Sequence, residues 1–178
     1  LERVAAVFEQ ERTAQKIKRL VESAGGRQVL CCATAAEARL LLARQRVAAV
    51  VCGYKFPDGT AEELFFDLRD GPGMLLLAPE HLLVLCRDSP GLFKRSTPLR
   101  RSDVLDGVGE AVRWGNQLRR PAAEAELIRR AKEWLMERYG MDEETAHRAL
   151  QKRSMDQGLR LAQTARDLLE RAAGIALF

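Results

Sequence analysis

Four short runs of uninterrupted apolar residues dominate the first part of the chain. They are Val4-Ala5-Ala6-Val7, Val29-Leu30-Cys31-Cys32, residues 47–52, and residues 74–77. A strand wetted on one face alternates apolar and polar residues, whereas a strand covered on both faces does not. Segments with helical spacing lie between the runs. Residues 13–24 carry Ile17, Leu20 and Val21, and residues 35–43 carry Ala38, Leu41 and Leu42. A Pro57-Asp58-Gly59 turn then leads into a helix with Leu64, Phe65 and Leu68, and Gly71-Pro72-Gly73 precedes the fourth run. This order predicts an α/β fold, a doubly wound parallel sheet with right-handed crossovers and helices on both faces. Periodicity leaves residues 79–93 open, since 81–86 suits a short helix or a strand. A fifth strand is expected near Leu92-Phe93-Lys94, before Thr97-Pro98-Leu99.

The pattern changes beyond residue 100. Residues 102–118 read as a helix with Ser102 as N-cap and Val104, Leu105, Val108, Val112 and Trp114 as its apolar positions. Gly115 and Pro121 interrupt the approach to the tail, which places a boundary between Trp114 and Ala125. The tail divides into three helices. The first covers about 123–139 and stops at Gly140. The second is capped by Asp142, has Glu143 and Glu144 in its first turn, and runs to about residue 155. Asp156-Gln157-Gly158 then turns the chain into a third helix over 159–173. The chain thus divides into two domains, 1–118 and 119–178.

Composition narrows the function. Of 178 residues, 47% are hydrophobic, enough for real cores, and the formal net charge of +4 permits a nucleic-acid partner without demanding one. Cys31, Cys32, Cys52 and Cys86 form no CxxC pair, and His81 and His147 stand apart from them. Buried reduced thiols are expected, with no metal site. No nucleophile has a nearby His and acid in sequence, and no Gly-rich phosphate loop is present, so neither an enzyme nor a bound cofactor is expected. No secretory leader and no bilayer-length apolar run is visible, which predicts a cytoplasmic protein without a membrane partner.

The tail carries the sharpest pattern. It reads Ala131-Lys132-x-x-Leu135-Met136, then Glu144-x-Ala146-x-x-x-Leu150, Ser154-Met155 and Leu161-x-x-x-Ala165. Between residues 148 and 166 the basic residues Arg148, Lys152, Arg153, Arg160 and Arg166 outnumber a single acid, Asp156. Such clusters suit phosphate contacts, and Arg also stacks on unpaired bases. This segment resembles the ANTAR domain, the RNA-binding output module of bacterial transcription antiterminators. The resemblance implies a homodimer that engages leader-mRNA hairpins and prevents a terminator from forming. Candidate RNA-binding residues are Lys132, Arg138, Arg148, Lys152, Arg153 and Arg160. For Lys132 and Arg138 the competing role is pairing with acids such as Glu133 or Glu137. His147 packs in the core or offers a stacking platform, packing being favoured. Trp134 reads as a core or dimer-seam residue. Ala131, Ala146, Leu150, Leu161, Ala165 and Leu168 read as core. The helices on either side of Pro121 are candidates for a coiled-coil seam between two chains.

The first 115 or so residues resemble a response-regulator receiver, a flavodoxin-like five-stranded fold. The resemblance implies two acids after the first strand, a phospho-accepting Asp after the third, a hydroxyl residue after the fourth, and a Lys after the fifth. Position by position, this chain has Phe8 and Glu9, Gly53, Ala78 and Thr97, with Lys94 three residues before Thr97. Gly53 carries no carboxylate, so no acyl phosphate forms there. The expectation is a pseudo-receiver without a phosphorylation or metal site, controlled by a regulatory partner protein or a ligand. Asp58 is the nearby alternative acceptor, but it lies in the turn and is expected instead to cap the following helix. Two other functions compete: a protein-interaction and dimerisation module that binds no RNA, and a DNA-binding regulator, which lacks a clear helix-turn-helix pattern.

Overall fold

A computed structural model of the chain describes residues 1–68 and 71–175. The end of the 119–178 segment, residues 176–178, lies outside the described residues. Two compact units emerge, Leu1–Leu118 and Arg119–Phe178.

The first unit is built on β1 (Glu2–Val7), β2 (Arg27–Cys32), β3 (Ala49–Cys52), β6 (Gly73–Ala78) and β7 (Leu92–Ser96). They form one sheet in the order β2-β1-β3-β6-β7, with every neighbouring pair parallel. A small antiparallel hairpin, β4 (Lys55–Phe56) and β5 (Gly59–Thr60), follows β3. The helices are α1 (Glu11–Ser23), α2 (Ala35–Arg44), α3 (Ala61–Asp67), α4 (Glu80–Leu83) and α5, which begins at Arg101. The sheet has a core on each face, which is why its central strands are apolar throughout. Val4 and Ala6 of β1, Val51 of β3 and Leu75 of β6 face α1 and α5. Ala5, Val7, Val50 and Leu76 face α2 and α3. The edge strand β2 is only half covered, so Cys31 is exposed while Cys32, Cys52 and Cys86 are buried, and all four thiols are free. The undecided stretch resolves into the single turn of α4, with β7 where the fifth strand was expected.

Three local expectations are corrected. The break at Pro121 is absent: α5 runs from Arg101 to Tyr139 with Pro121 inside it, so the 102–118 helix and the first tail helix are one element. A mid-helix proline loses one backbone bond, and a 39-residue helix has enough other bonds and packing to retain it. Ser102 is not the cap, because the helix starts one residue earlier, and Asp103 accepts from the Arg100 N–H at 2.9 Å. Asp58 caps a different helix from the one that follows it. Its carboxylate accepts from Ala35 N at 2.8 Å and Ala36 N at 2.9 Å, at the start of α2. Helix α3 is capped instead by Thr60, in a reciprocal arrangement with Glu63.

The second unit contains the rest of α5, then α6 (Glu143–Gln157) and α7 (Leu161–Ile175). Gly140, at φ +64°, ends α5, and Asp142 caps α6 by accepting from Thr145 N at 2.7 Å. Helix α6 extends past residue 155 through Gln157 and closes at Gly158, also at φ +64°. That conformation costs an L-residue with a side chain about 1 kcal/mol or more. Ser154 Oγ donates to the Leu159 carbonyl at 2.5 Å and secures the turn. The bundle core holds Ala131, Leu135, Ala146, Leu150, Ala165 and Leu168, with Leu161 and Trp134 packed at its margin. Three alanines there let helix backbones approach closely.

Candidate nucleic-acid interface

The strand-end region of the first unit comes from the chain just beyond β1, β3, β6 and β7. Phe8 follows β1, and its ring is buried in the core on the α1 side. Gly53 follows β3 and donates its N–H to the Val7 carbonyl at 3.3 Å. A Cβ placed on Gly53 would meet Cδ1 of Phe8 at 3.4 Å, so an aromatic ring lies against the bare backbone of that position. Glu9 is exposed. Ala78, which ends β6, is buried, and Thr97 donates its N–H to the Ala78 carbonyl at 3.1 Å. Lys94 is engaged elsewhere, donating to the Cys86 carbonyl at 2.6 Å and to Asp88 at 2.8 Å. The two hydrogen bonds from α2 hold the Asp58 carboxyl below the usual carboxylate range. No group of three or more His, Cys, Asp or Glu side chains that could hold a metal occurs among the described residues.

Four of the six candidate basic residues of the second unit line two clefts. The first is lined by Lys132, Asp142, Glu143, Glu144, His147 and Arg148, among others. Its cations are already matched: Lys132 pairs with Glu143 at 3.1 Å, and Arg148 with Glu144 one turn earlier on α6. The partner of Lys132 is therefore Glu143, not Glu133 or Glu137. His147 is half-buried on the wall of this cleft. The Asp142 carboxyl is held low by its hydrogen bonds from Thr145, side chain and backbone.

The second cleft is a cavity of about 450 Å³ lined by Leu135, Ala149, Leu150 and Leu168 together with Lys152, Arg153, Asp156 and Gln157. Helix α6 supplies its polar residues at one-turn spacings, Lys152 with Asp156 and Arg153 with Gln157, while α5 and α7 supply Leu135 and Leu168. Arg153 Nε is buried and has no hydrogen-bond partner among the described residues. A buried donor left unpaired costs about 1–3 kcal/mol, which a group that accepts from it would recover. Lys152 forms no ion pair among the described residues, with Asp156 included. Arg138 and Arg160 are exposed and equally unpaired among the described residues, and they line neither cleft. The six candidates thus separate into a neutralised couple (Lys132 and Arg148), an available couple (Lys152 and Arg153) and two solitary arginines.

Residues 116–169 match the family model for the ANTAR domain. The tail is an ANTAR domain. The first unit is similar in fold to solved receiver domains. One is the signal receiver domain of an HD domain-containing protein from Pseudomonas fluorescens Pf-5, at 18% identity and a TM-score of 0.57, covering 66% of this chain and 91% of that one. Another is a response regulator receiver domain from Clostridium thermocellum, at 17% identity and a TM-score of 0.53, covering 66% and 99%. A third, from Methanospirillum hungatei JF-1, gives 20% identity and 0.53, covering 66% and 98%. Among curated proteins none matches the chain. The chain therefore joins a receiver-like fold to a segment that matches the ANTAR domain. No helix among the described residues is long and apolar enough to cross a membrane.

Of the residues that line this cleft, sequence reading named Lys152 and Arg153 as candidates and did not name Asp156 and Gln157. The signal was present as four-residue spacings on α6. Ending that helix at residue 155 assigned both residues to a turn and hid it.

Proposed function

We propose that this protein is an RNA-binding transcription antitermination regulator that recognises hairpin loops in leader mRNA and acts without phosphorylation. Residues 1–118 serve as a pseudo-receiver with a linker helix, and residues 119–178 as the three-helix RNA-binding domain. The observation that carries the reading is the ANTAR match over a bundle whose Lys152 and Arg153 are cationic, adjacent and in no ion pair among the described residues. Phosphorylation independence is supported by Gly53, which puts no carboxylate at the position just after β3, and by Asp58, whose carboxylate is held by two α2 amides instead. Control then passes to a regulatory protein or ligand, and the working form is a homodimer. The role is regulatory rather than enzymatic, and cytoplasmic.

Binding of the full chain to a pool of stem–loop transcripts with randomised loops, measured across a salt series, tests the reading. Affinity is expected to fall with a log–log slope of about −0.7 for each single-stranded phosphate neutralised. Lys152→Ala should weaken binding to all loops alike and lower that slope by about one contact. A salt-insensitive interaction, or unchanged affinity in both Lys152→Ala and Arg153→Ala, would remove this surface. Sedimentation at micromolar concentration checks the dimer, and a clean monomer would count against it. The acid-matched cleft around Lys132 and Arg148 favours a second reading, a protein-interaction module that binds no RNA. That module would retain its partner in the same variants.

A further inference from the structure

We infer that Arg27 and Arg113 form a phosphate-binding site in the first unit, built over the bare backbone of Gly109. Two guanidinium groups converge there. A Cβ placed on Gly109 of α5 would lie 3.4 Å from Nη1 of Arg113 and 3.9 Å from Nη2 of Arg27. Glycine weakens the interior of a helix, and at this position its missing side chain leaves room for both groups. Arg113 stands one turn after Gly109, exposed, with no hydrogen bond or ion pair among the described residues. Arg27, at the start of β2, pairs with Glu2 at 3.7 Å, beyond the roughly 2.7–2.9 Å of a charge-assisted hydrogen bond. The other oxygen of Glu2 accepts from Asn116 Nδ2 at 2.9 Å. Two like charges thus approach one point with a loosely held carboxylate beside them.

An anion placed between neighbouring cations relieves their repulsion. Phosphate fits this geometry. Its tetrahedral oxygens accept from two guanidinium forks at once, whereas a carboxylate presents two oxygens that one fork already takes up. The surroundings add charge of the same sign. Arg12, Lys16 and Arg19 are exposed at one-turn spacings on α1 and form no ion pair among the described residues. That row ends at Ser23, whose hydroxyl accepts from Arg101 of α5 at 2.9 Å. Either a free phosphorylated metabolite or the backbone of a transcript supplies the phosphate group. The chemistry of the site is the same for both, and it does not depend on whether the tail reads hairpins.

The test uses the full chain in two arms. In the first, sodium pyrophosphate is titrated without magnesium at fixed ionic strength while the thermal midpoint is followed. Wild type is expected to gain stability, and Arg113→Gln to lose about tenfold in apparent affinity. Glu2→Gln removes the competing charge and keeps an acceptor for Asn116, so it should bind severalfold more tightly. In the second arm, binding to a stem–loop transcript is measured across a salt series. With backbone phosphate in the site, Arg113→Gln lowers the log–log slope by about one and weakens all loops alike. A response in the first arm alone identifies a free phosphate as the ligand, and a changed RNA slope identifies the transcript. Wild type and Arg113→Gln alike in both arms, or Glu2→Gln weaker than wild type, would overturn the site. Lys152→Ala should leave the pyrophosphate response unchanged. A response lost in that variant and kept in Arg113→Gln would place the anion on the tail and overturn the site as well.

Discussion

Asp58 places its negative charge on a helix that precedes it by more than twenty residues. The Pro57-Asp58-Gly59 turn was legible, since Pro, Asp and Gly in succession favour a turn. The destination of the carboxylate was not, because an N-cap is read from neighbours in sequence and this one is made across the fold. The two α2 amides favour the charged form, so the folded pKa lies below the unfolded one. That contribution to stability is complete above the ordinary carboxylate range. It is lost as pH falls through the depressed folded value. Asp58→Ala is therefore expected to lower the thermal midpoint at pH 7, with the gap from wild type closing below about pH 4. An equal gap at both pH values would deny the charge its role. Thr164 makes the opposite case. It is fully buried on α7, and its hydroxyl has no partner among the described residues. Thr164→Val keeps the branched shape and removes the unsatisfied oxygen. A gain of about 1 kcal/mol is expected, read from denaturant midpoints at constant slope.

At the scale of elements, strands and helices of the receiver fold were legible because period and length agree: short continuous runs for strands, longer amphipathic stretches for helices. The α6 cap at Asp142 and the stops at Gly140 and Gly158 were legible from local chemistry alone. What misled was Pro121. A proline costs an isolated helix about 3 kcal/mol, but the sequence does not reveal how much packing lies on either side to offset it. Helix α5 also explains Gly115, which read as an interruption and is instead a contact point. A Cβ there would overlap the Ala48 carbonyl oxygen, backbone against backbone. Gly115→Ala should gain up to about 1 kcal/mol of helix propensity, yet overpacking costs about 1–3 kcal/mol and has no flexible side chain to absorb it. A net loss of stability is expected in chemical denaturation, and a stabilised variant would contradict the close approach of α5 to the strand edge.

For the whole molecule, the two-faced sheet and the separate helical core were readable in outline, because each unit buries its own apolar set. The division of the tail's cations was not. Lys132, Arg148, Lys152 and Arg153 look alike as letters, and only folding shows that acids claim the first two. At the other end of the chain, incubation with acetyl phosphate and magnesium followed by intact mass measurement should show no stoichiometric adduct. A full phosphate increment would return the first unit to the phosphorylated regulators. The ring of Phe8 resting on Gly53 also bears on any attempt to engineer such control into this protein. Restoring an aspartate at position 53 would set its carboxylate against the hydrocarbon ring of Phe8 rather than beside a second acid, so a gain-of-function design has to exchange both positions together.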